Sequence, residues 1–538
     1  MRRVTRIIIC FLVLALFQTS IGIGADGALQ NIGNSTGKTI NVRLDSVPSM
    51  LDPQLAVAEA EQHVINNIFE GLMREVNGKI ENGVASSYSI SQDGTVYTFK
   101  IRDAKWSDGK AVTAQDFEYA WKRGLDPNTG AEYAFLLYHI EGAEEYNQGE
   151  GSAKNVAVKA IDAKTLQVTL TQPTPYFLKL TTSPIYMPMR ADIVTKNQEG
   201  WGTQPNAFVS NGPFQISKTS METIALTKNS NYYKSDSVKL DGINFMVIND
   251  DMEALNAYRE GKVDILNILP VDETWELKTG DKSFKYLTST GTYYYMINAK
   301  KAPFNDLNVR KALSLAIDRK YMLQNHVPGY KAATGLVPPG LNLEGGQEFR
   351  TAAGNYGIDP NGANIEEAKQ LLAKAGYPNG KVFPEIELLY NTNDGNKIMA
   401  EAVQQMWQNN LGIKVKLKDL EWPTYVETRH EKKFDIARGG WLGDIADPIA
   451  YLEGWTSYGV QNETNWENDQ FDQLASDSYY TTGKERDDIL LELEKMIMNE
   501  MVVIPLYYYT DSALVRENVQ NWYVTNLGYW YFGNTNIQ

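Results

Sequence analysis

The sequence predicts an α/β protein of more than one domain, and three observations carry that reading. At 538 residues the chain is too long for a single hydrophobic core. Short alternating runs dominate its first half, whereas helical periods dominate its second. The change falls near residues 290–300, which places a break between lobes there. Hydrophobic residues at 43% and charged residues at 22% fit an ordinary soluble globular protein.

The elements follow in order. MRRVTR is basic, IIICFLVLALF is apolar and QTSIGIGA supplies small residues, so residues 1–25 read as a secretory signal peptide cleaved near Gly24 or Ala25. The apolar run is too short to span a bilayer, and no later stretch approaches the required length. Cys10, the only cysteine, has Ile9 before it near the start of the run rather than a small residue at its end. We therefore expect no lipid anchor, and removal of the signal leaves no thiol to mispair in an oxidising compartment.

A polar linker over residues 26–37 precedes TINVRL, which alternates as a strand. LDPQLAVAEAEQHVINNIFEGLM turns at Asp52-Pro53 and takes helical spacing through Ile65, Ile68, Phe69 and Leu72. YTFKIR is a strand, and Thr113 with Asp116 three residues on predicts a helix cap. VAVKAIDAKTLQVTLTQPTP, FQISKTSMETIALTKN and KLDGINFMVIND read as strands. VRKALSLAIDRKYMLQN, IEEAKQLLAKAG, NKIMAEAVQQMWQNNLG and ERDDILLELEKMIMNEM read as helices, separated by the strands VKLKDL and VVIPLYYY.

The net charge of −15 repels nucleic acid and anionic lipid, leaving small solutes and other proteins as partners. GNSTGKT, Gly33 to Thr39, is one residue short of a phosphate-binding loop, since Ile32 stands where that loop needs glycine. The four histidines lack metal-ligand spacing and no G-x-S-x-G element occurs, so neither a metal nor a cofactor is expected. Asp444 and Asp447 alone make a poor case for glycoside hydrolysis, because most such pairs are solvated surface.

Residues 421–448, EWPTYVETRHEKKFDIARGGWLGDIADP, are more informative. Trp422, Arg429, Arg438, Trp441 and Asp444 converge within a short span loosened by glycine. One reading is an internal Arg438–Asp444 ion pair with Trp441 as core. The other is a ligand cleft in which Asp444 takes a cation and the arginines take an anion through paired hydrogen bonds. Tryptophans excluding water would raise the Coulomb attraction from about 1 to about 4 kcal/mol at 4 Å.

Here the chain resembles the extracytoplasmic oligopeptide-binding proteins of ABC importers, the larger periplasmic-binding-protein type. The resemblance runs from about Ile40 to the C-terminal region. It rests on LDPQLAVAEAEQHVINNIFEGL, YTFKIRDAKWSDGKAVTAQDF, VSNGPFQI, TYYYMINAKKAPFNDLNVRKALSLAIDRK, LLYNTNDGNK, the 421–448 block and VVIPLYYY. It implies two α/β lobes closing on a cleft by a hinge. Lobe 1 would combine residues 38–69, 193–295 and 512–538, with an extra domain at 70–192 and lobe 2 at 296–511.

By the same resemblance, Asp444 would meet the peptide amino group, and Arg438 and Arg429 its carboxylate. Trp422 and Tyr133 would line side-chain pockets, and Gly440 would offer its backbone. The pattern departs at Val57, where better-known members carry glutamate, with Glu59 close by. It departs again at Asn396, where a histidine can help hold longer peptides, and at a lysine position that corresponds to His326.

The implied function is capture of short peptides for permease subunits at the membrane, by a non-enzymatic monomer in the periplasm. The same fold could instead take dipeptides, cell-wall or signalling peptides, nickel complexes or haem. A secreted hydrolase is the remaining alternative.

Overall fold

The computed structural model describes residues 38–197, 201–203, 208–269, 277–278, 280–326 and 329–538. The segments expected as signal peptide and linker, and residues 33–37 of GNSTGKT, lie outside the described residues. Among those described, no helix is long and apolar enough to cross a membrane.

One large sheet organises residues 38–538. Its strands run in the order Val415–Leu420, Ile386–Asn391, Ile436–Leu442, Phe284–Ile297, Val503–Val515, Ile265–Asn267, Thr39–Leu44, Gly242–Val247, Thr223–Lys228 and Phe214–Thr219, with Lys331–Ala332 added on Val503–Val515. The two central strands are the long ones, antiparallel to each other, and they join two lobes. Phe284–Thr288 pairs with Leu514–Thr510 beside the first lobe's strands, and Thr292–Met296 pairs with Tyr508–Val503 beside the second lobe's. Between these halves the register slips, leaving residues 289–291 opposite Tyr509. A second slip sits at Tyr293/Tyr294, opposite Pro505, which has no N–H to give the ladder. The expected break near 290–300 thus lies within a continuous strand.

A separate four-stranded antiparallel sheet orders Ala85–Ile90, Val96–Ile101, Thr165–Thr169 and Val158–Asp162, in that order, with the helix Ala114–Leu125 beside it. The Thr113 N–H donates to the Asp116 carboxylate at 2.9 Å, the reciprocal half of a capping box.

Two helical expectations are corrected. The helix expected through Phe69 and Leu72 spans Glu59–Ile68, and Phe69 is extended (φ −117°, ψ 157°). Buried Arg74 reaches back and donates to the Phe69 carbonyl at 2.7 Å while pairing with Glu70 at 2.7 Å, so the last turn finds partners without continuing. VRKALSLAIDRKYMLQN divides into Leu307–Leu315 and Arg319–Asn325. Asp318 accepts from the Tyr321 N–H at 2.8 Å and starts a second helix where one was expected to continue.

The extra domain is fastened to the second lobe by charge. Asp447, expected to be solvated, is fully buried: it holds Lys179 at 2.6 Å and Arg486 at 2.8 Å, and Arg486 also reaches Glu344 at 3.4 Å. Glu75, 3% exposed, accepts from the Asn526 N–H at 2.8 Å, and burial lifts its carboxyl to about 7.

Two outcomes follow. Asp447→Asn would leave half-buried Lys179 without its carboxylate and buried Arg486 with Glu344 alone, and urea unfolding should show a loss of about 3 kcal/mol. Glu75 keeps a proton in the fold that the unfolded chain releases near its ordinary value, so its contribution is present at low pH and lost as pH rises through about 7. Glu75→Gln should match the parent's thermal stability at pH 4.5 and exceed it at pH 8 by on the order of 1–3 kcal/mol.

Candidate functional site

The site is built where the second lobe's strand Ile436–Leu442 meets the two crossing strands. Its register places Arg438 opposite Tyr295, Gly440 opposite Tyr293 and Trp441 opposite Thr292. Alternate residues of a strand share a face, so Arg438 and Gly440 lie on one side together. A methyl group on Gly440 would come within 2.7 Å of the Tyr509 hydroxyl and 3.1 Å of the Arg438 guanidinium, so only glycine leaves both where they are.

Arg438 is half-buried among phenols. Its Nη2 donates to the Tyr509 hydroxyl at 3.1 Å and its guanidinium carbon lies 4.8 Å from the Tyr293 ring centre, while its Nε has no protein partner. Tyr293 stacks on Tyr507 at 4.6 Å, and Tyr507 stacks on Tyr330 at 4.6 Å, so the guanidinium sits on a rigid aromatic pile. The side chains of 293, 507 and 509 escaped sequence reasoning. The tyrosine runs TYYYMIN and PLYYYTD were the available signal, and only pairing of the two strands brings them to Arg438.

Asp444 follows the strand, in the loop after Gly443. Among the described residues no hydrogen bond or ion pair engages its carboxylate, and Arg438 and Asp444 are not joined to each other. Asp444 is exposed to solvent, and the partial desolvation it meets beside the neighbouring walls raises its carboxyl above its ordinary value. Tyr133 lies near enough that Asp444, after burial itself, helps push the phenol up, and Tyr529 feels the same charge. Asp444 and Trp441 both line a cavity of about 610 Å³ between the extra domain and the second lobe. The Trp441 Nε1 has no protein partner.

The remaining predicted residues are placed differently. Arg429 forms a fork with Glu463, at 2.6 Å through Nε and 3.2 Å through Nη2, and His430 approaches the same carboxylate at 3.4 Å. Trp422 is 55% exposed at the start of the helix Trp422–His430, with its ring 5.9 Å from that of Tyr425. Val57 is exposed, and Glu59 contacts His63 at 3.3 Å. Asn396 is buried, accepting from the Tyr293 hydroxyl at 3.2 Å, and so supports the ring beneath Arg438. His326 packs near Tyr321, ring to ring at 6.1 Å.

No group of three or more metal-ligating side chains occurs among the described residues. The arrangement is one of binding chemistry: an isolated anion and an aromatic-seated cation, held on different segments of one lobe and facing space bounded by other elements.

The family model for "Bacterial extracellular solute-binding proteins, family 5 Middle" matches residues 79–463. The chain is 38% identical to the oligopeptide-binding protein OppA of Bacillus subtilis, over 99% of both chains. It is 36% identical to the periplasmic oligopeptide-binding protein OppA of Escherichia coli, over 87% of this chain and 86% of that one. Among solved structures, the murein tripeptide binding protein MppA in its unliganded open form overlaps with a TM-score of 0.85 at 30% identity, covering 94% of this chain and 98% of that one. Listeria monocytogenes OppA bound to peptide overlaps at 0.65 and 27% identity, covering 94% and 100%. With its two α/β lobes, inserted domain and double strand crossing, the chain belongs to the bacterial extracellular solute-binding proteins of family 5.

Proposed function

We propose that this protein captures short oligopeptides between its lobes, outside the cytoplasm, and delivers them as a monomer to the permease of an ABC importer without altering them. The observation that carries the reading is the pair of opposite charges left apart: among the described residues Asp444 meets no cation, and the Arg438 guanidinium meets phenols and no carboxylate. A zwitterionic chain with an ammonium at one end and a carboxylate at the other answers both. The B. subtilis and E. coli relatives, both oligopeptide-binding proteins, support the same reading.

In this scheme Asp444 takes the peptide amino group. Arg438 takes the carboxylate in preference to Arg429, whose guanidinium Glu463 already holds. Gly440 gives the peptide backbone close access to the strand edge, in the manner of an added strand. Tyr133, Trp441 and Trp422 surround its side chains. Closure of the lobes would wall off water and strengthen both end contacts. Micromolar affinity, roughly −8 kcal/mol, lies within reach of such a set. The basic and apolar leader supports export, and a periplasmic address is tested by fractionating the cells that make the protein.

Calorimetry with trialanine tests the reading. Asp444→Asn should weaken binding by about thirtyfold or more, as expected for removing one partner of an enclosed charged contact. N-acetyl-trialanine should bind the parent as poorly as trialanine binds the variant, and the variant should not distinguish the two ligands. Equal binding of trialanine by parent and variant would remove Asp444 from the amino terminus. Gly440→Ala should also weaken binding by about tenfold, through displacement of Arg438 and Tyr509. Peptide recovered intact from the complex fits transport, whereas cleaved peptide would overturn it.

A further inference from the structure

The cavity of about 610 Å³ beside Asp444 has a charge balance of its own. It lies between Phe135, His139 and Tyr176 of the extra domain and Trp441, Glu453 and Tyr479 of the second lobe. Its size is that of a small-ligand pocket, well beyond what a peptide amino group needs.

Two cations lie close by, Lys179 and Arg486, and both are committed. Lys179 is 2.6 Å from Asp447, and Arg486 lies 2.8 Å from Asp447 and 3.4 Å from Glu344. These two cations offset Asp447 and Glu344, which leaves Asp444 and Glu453 uncompensated on one cavity wall. Glu453 accepts a hydrogen bond from the Tyr479 hydroxyl and has no ion pair among the described residues. Burial raises its carboxyl, partly offset by that bond. His139 adds no counter-charge, because burial lowers its imidazole to about 4 and it is neutral at pH 7. The Gln461 Oε1, an acceptor at the same cavity, has no protein partner. Aromatic rings share the remaining walls with aliphatic and neutral polar residues, and aromatic faces favour a cation over an anion.

The peptide ammonium answers one of these two carboxylates and leaves the other. We infer that Glu453 selects peptides whose first side chain is cationic, a lysine, arginine or ornithine, by holding that side chain in the cavity while Asp444 holds the amino terminus. This rests on the peptide reading above and adds to it a residue that sets preference at the first position.

The test compares Lys-Ala-Ala with norleucine-Ala-Ala, which has the same linear carbon chain without the ammonium. Calorimetry on the full mature protein should give Lys-Ala-Ala an advantage of about tenfold or more. In Glu453→Gln, which keeps an acceptor for Tyr479, the advantage should vanish while norleucine-Ala-Ala binds as before, with thermal melting confirming the fold. Equal affinity of the two peptides for the parent protein overturns the inference and leaves peptide capture standing. An advantage that survives in Glu453→Gln also overturns it. Failure of both peptides to bind overturns the peptide reading, and this inference with it.

Discussion

The separation of Arg438 from Asp444 is the constraint around which the rest of the molecule is arranged. Six positions apart on one strand and its following loop, two opposite charges would ordinarily find each other and neutralise. The structure prevents this by giving the guanidinium another seat. Tyr293, Tyr507 and Tyr509 supply a face and a hydroxyl, which together satisfy part of its donor set without cancelling its charge. The carboxylate is carried past Gly443 to a different wall. The interaction that is missing is the one the proposed guest would supply.

Other charges in the same region are closed internally, and the contrast is informative. Asp447, three residues from Asp444, is buried and doubly paired, and it clamps the extra domain to the second lobe. Arg429, nine residues before Arg438, is held in a fork by Glu463. Breaking such a buried pair leaves an uncompensated charge at a cost of several kcal/mol, so these residues are poorly placed to exchange partners with a solute. Residues with identical formal charge therefore divide into those paired within the framework and those left without an ionic partner among the described residues.

Much of the fold was legible from local pattern. TINVRL and VKLKDL form strands with the limits their alternation gives, and Thr113 with Asp116 opens the helix expected of them. Errors came where a residue outside the element decides a local outcome. Phe69 leaves its helix because Arg74, on the next strand, takes its carbonyl. Asp447 is buried because Lys179, 268 positions away, answers it. At the site, Arg438, Trp441 and Asp444 stood out as charges and indole among glycines. The tyrosines that seat Arg438 did not, since their role arises from strand register and from no spacing within either run. Arg429 and Asp447 show the limit of composition: type and neighbourhood announce a charge, and only its partner says whether it is spent.

The passage between the lobes is made twice, by strands that remain hydrogen-bonded to each other on both sides of the slip at residues 289–291. A ribbon of this kind flexes readily out of its plane and resists shearing within it, like a sewn spine between two covers. Tyr509 stands at the fold of the spine, where Arg438 donates to its hydroxyl. A guest held at that guanidinium, as proposed above, would touch a contact at the axis itself.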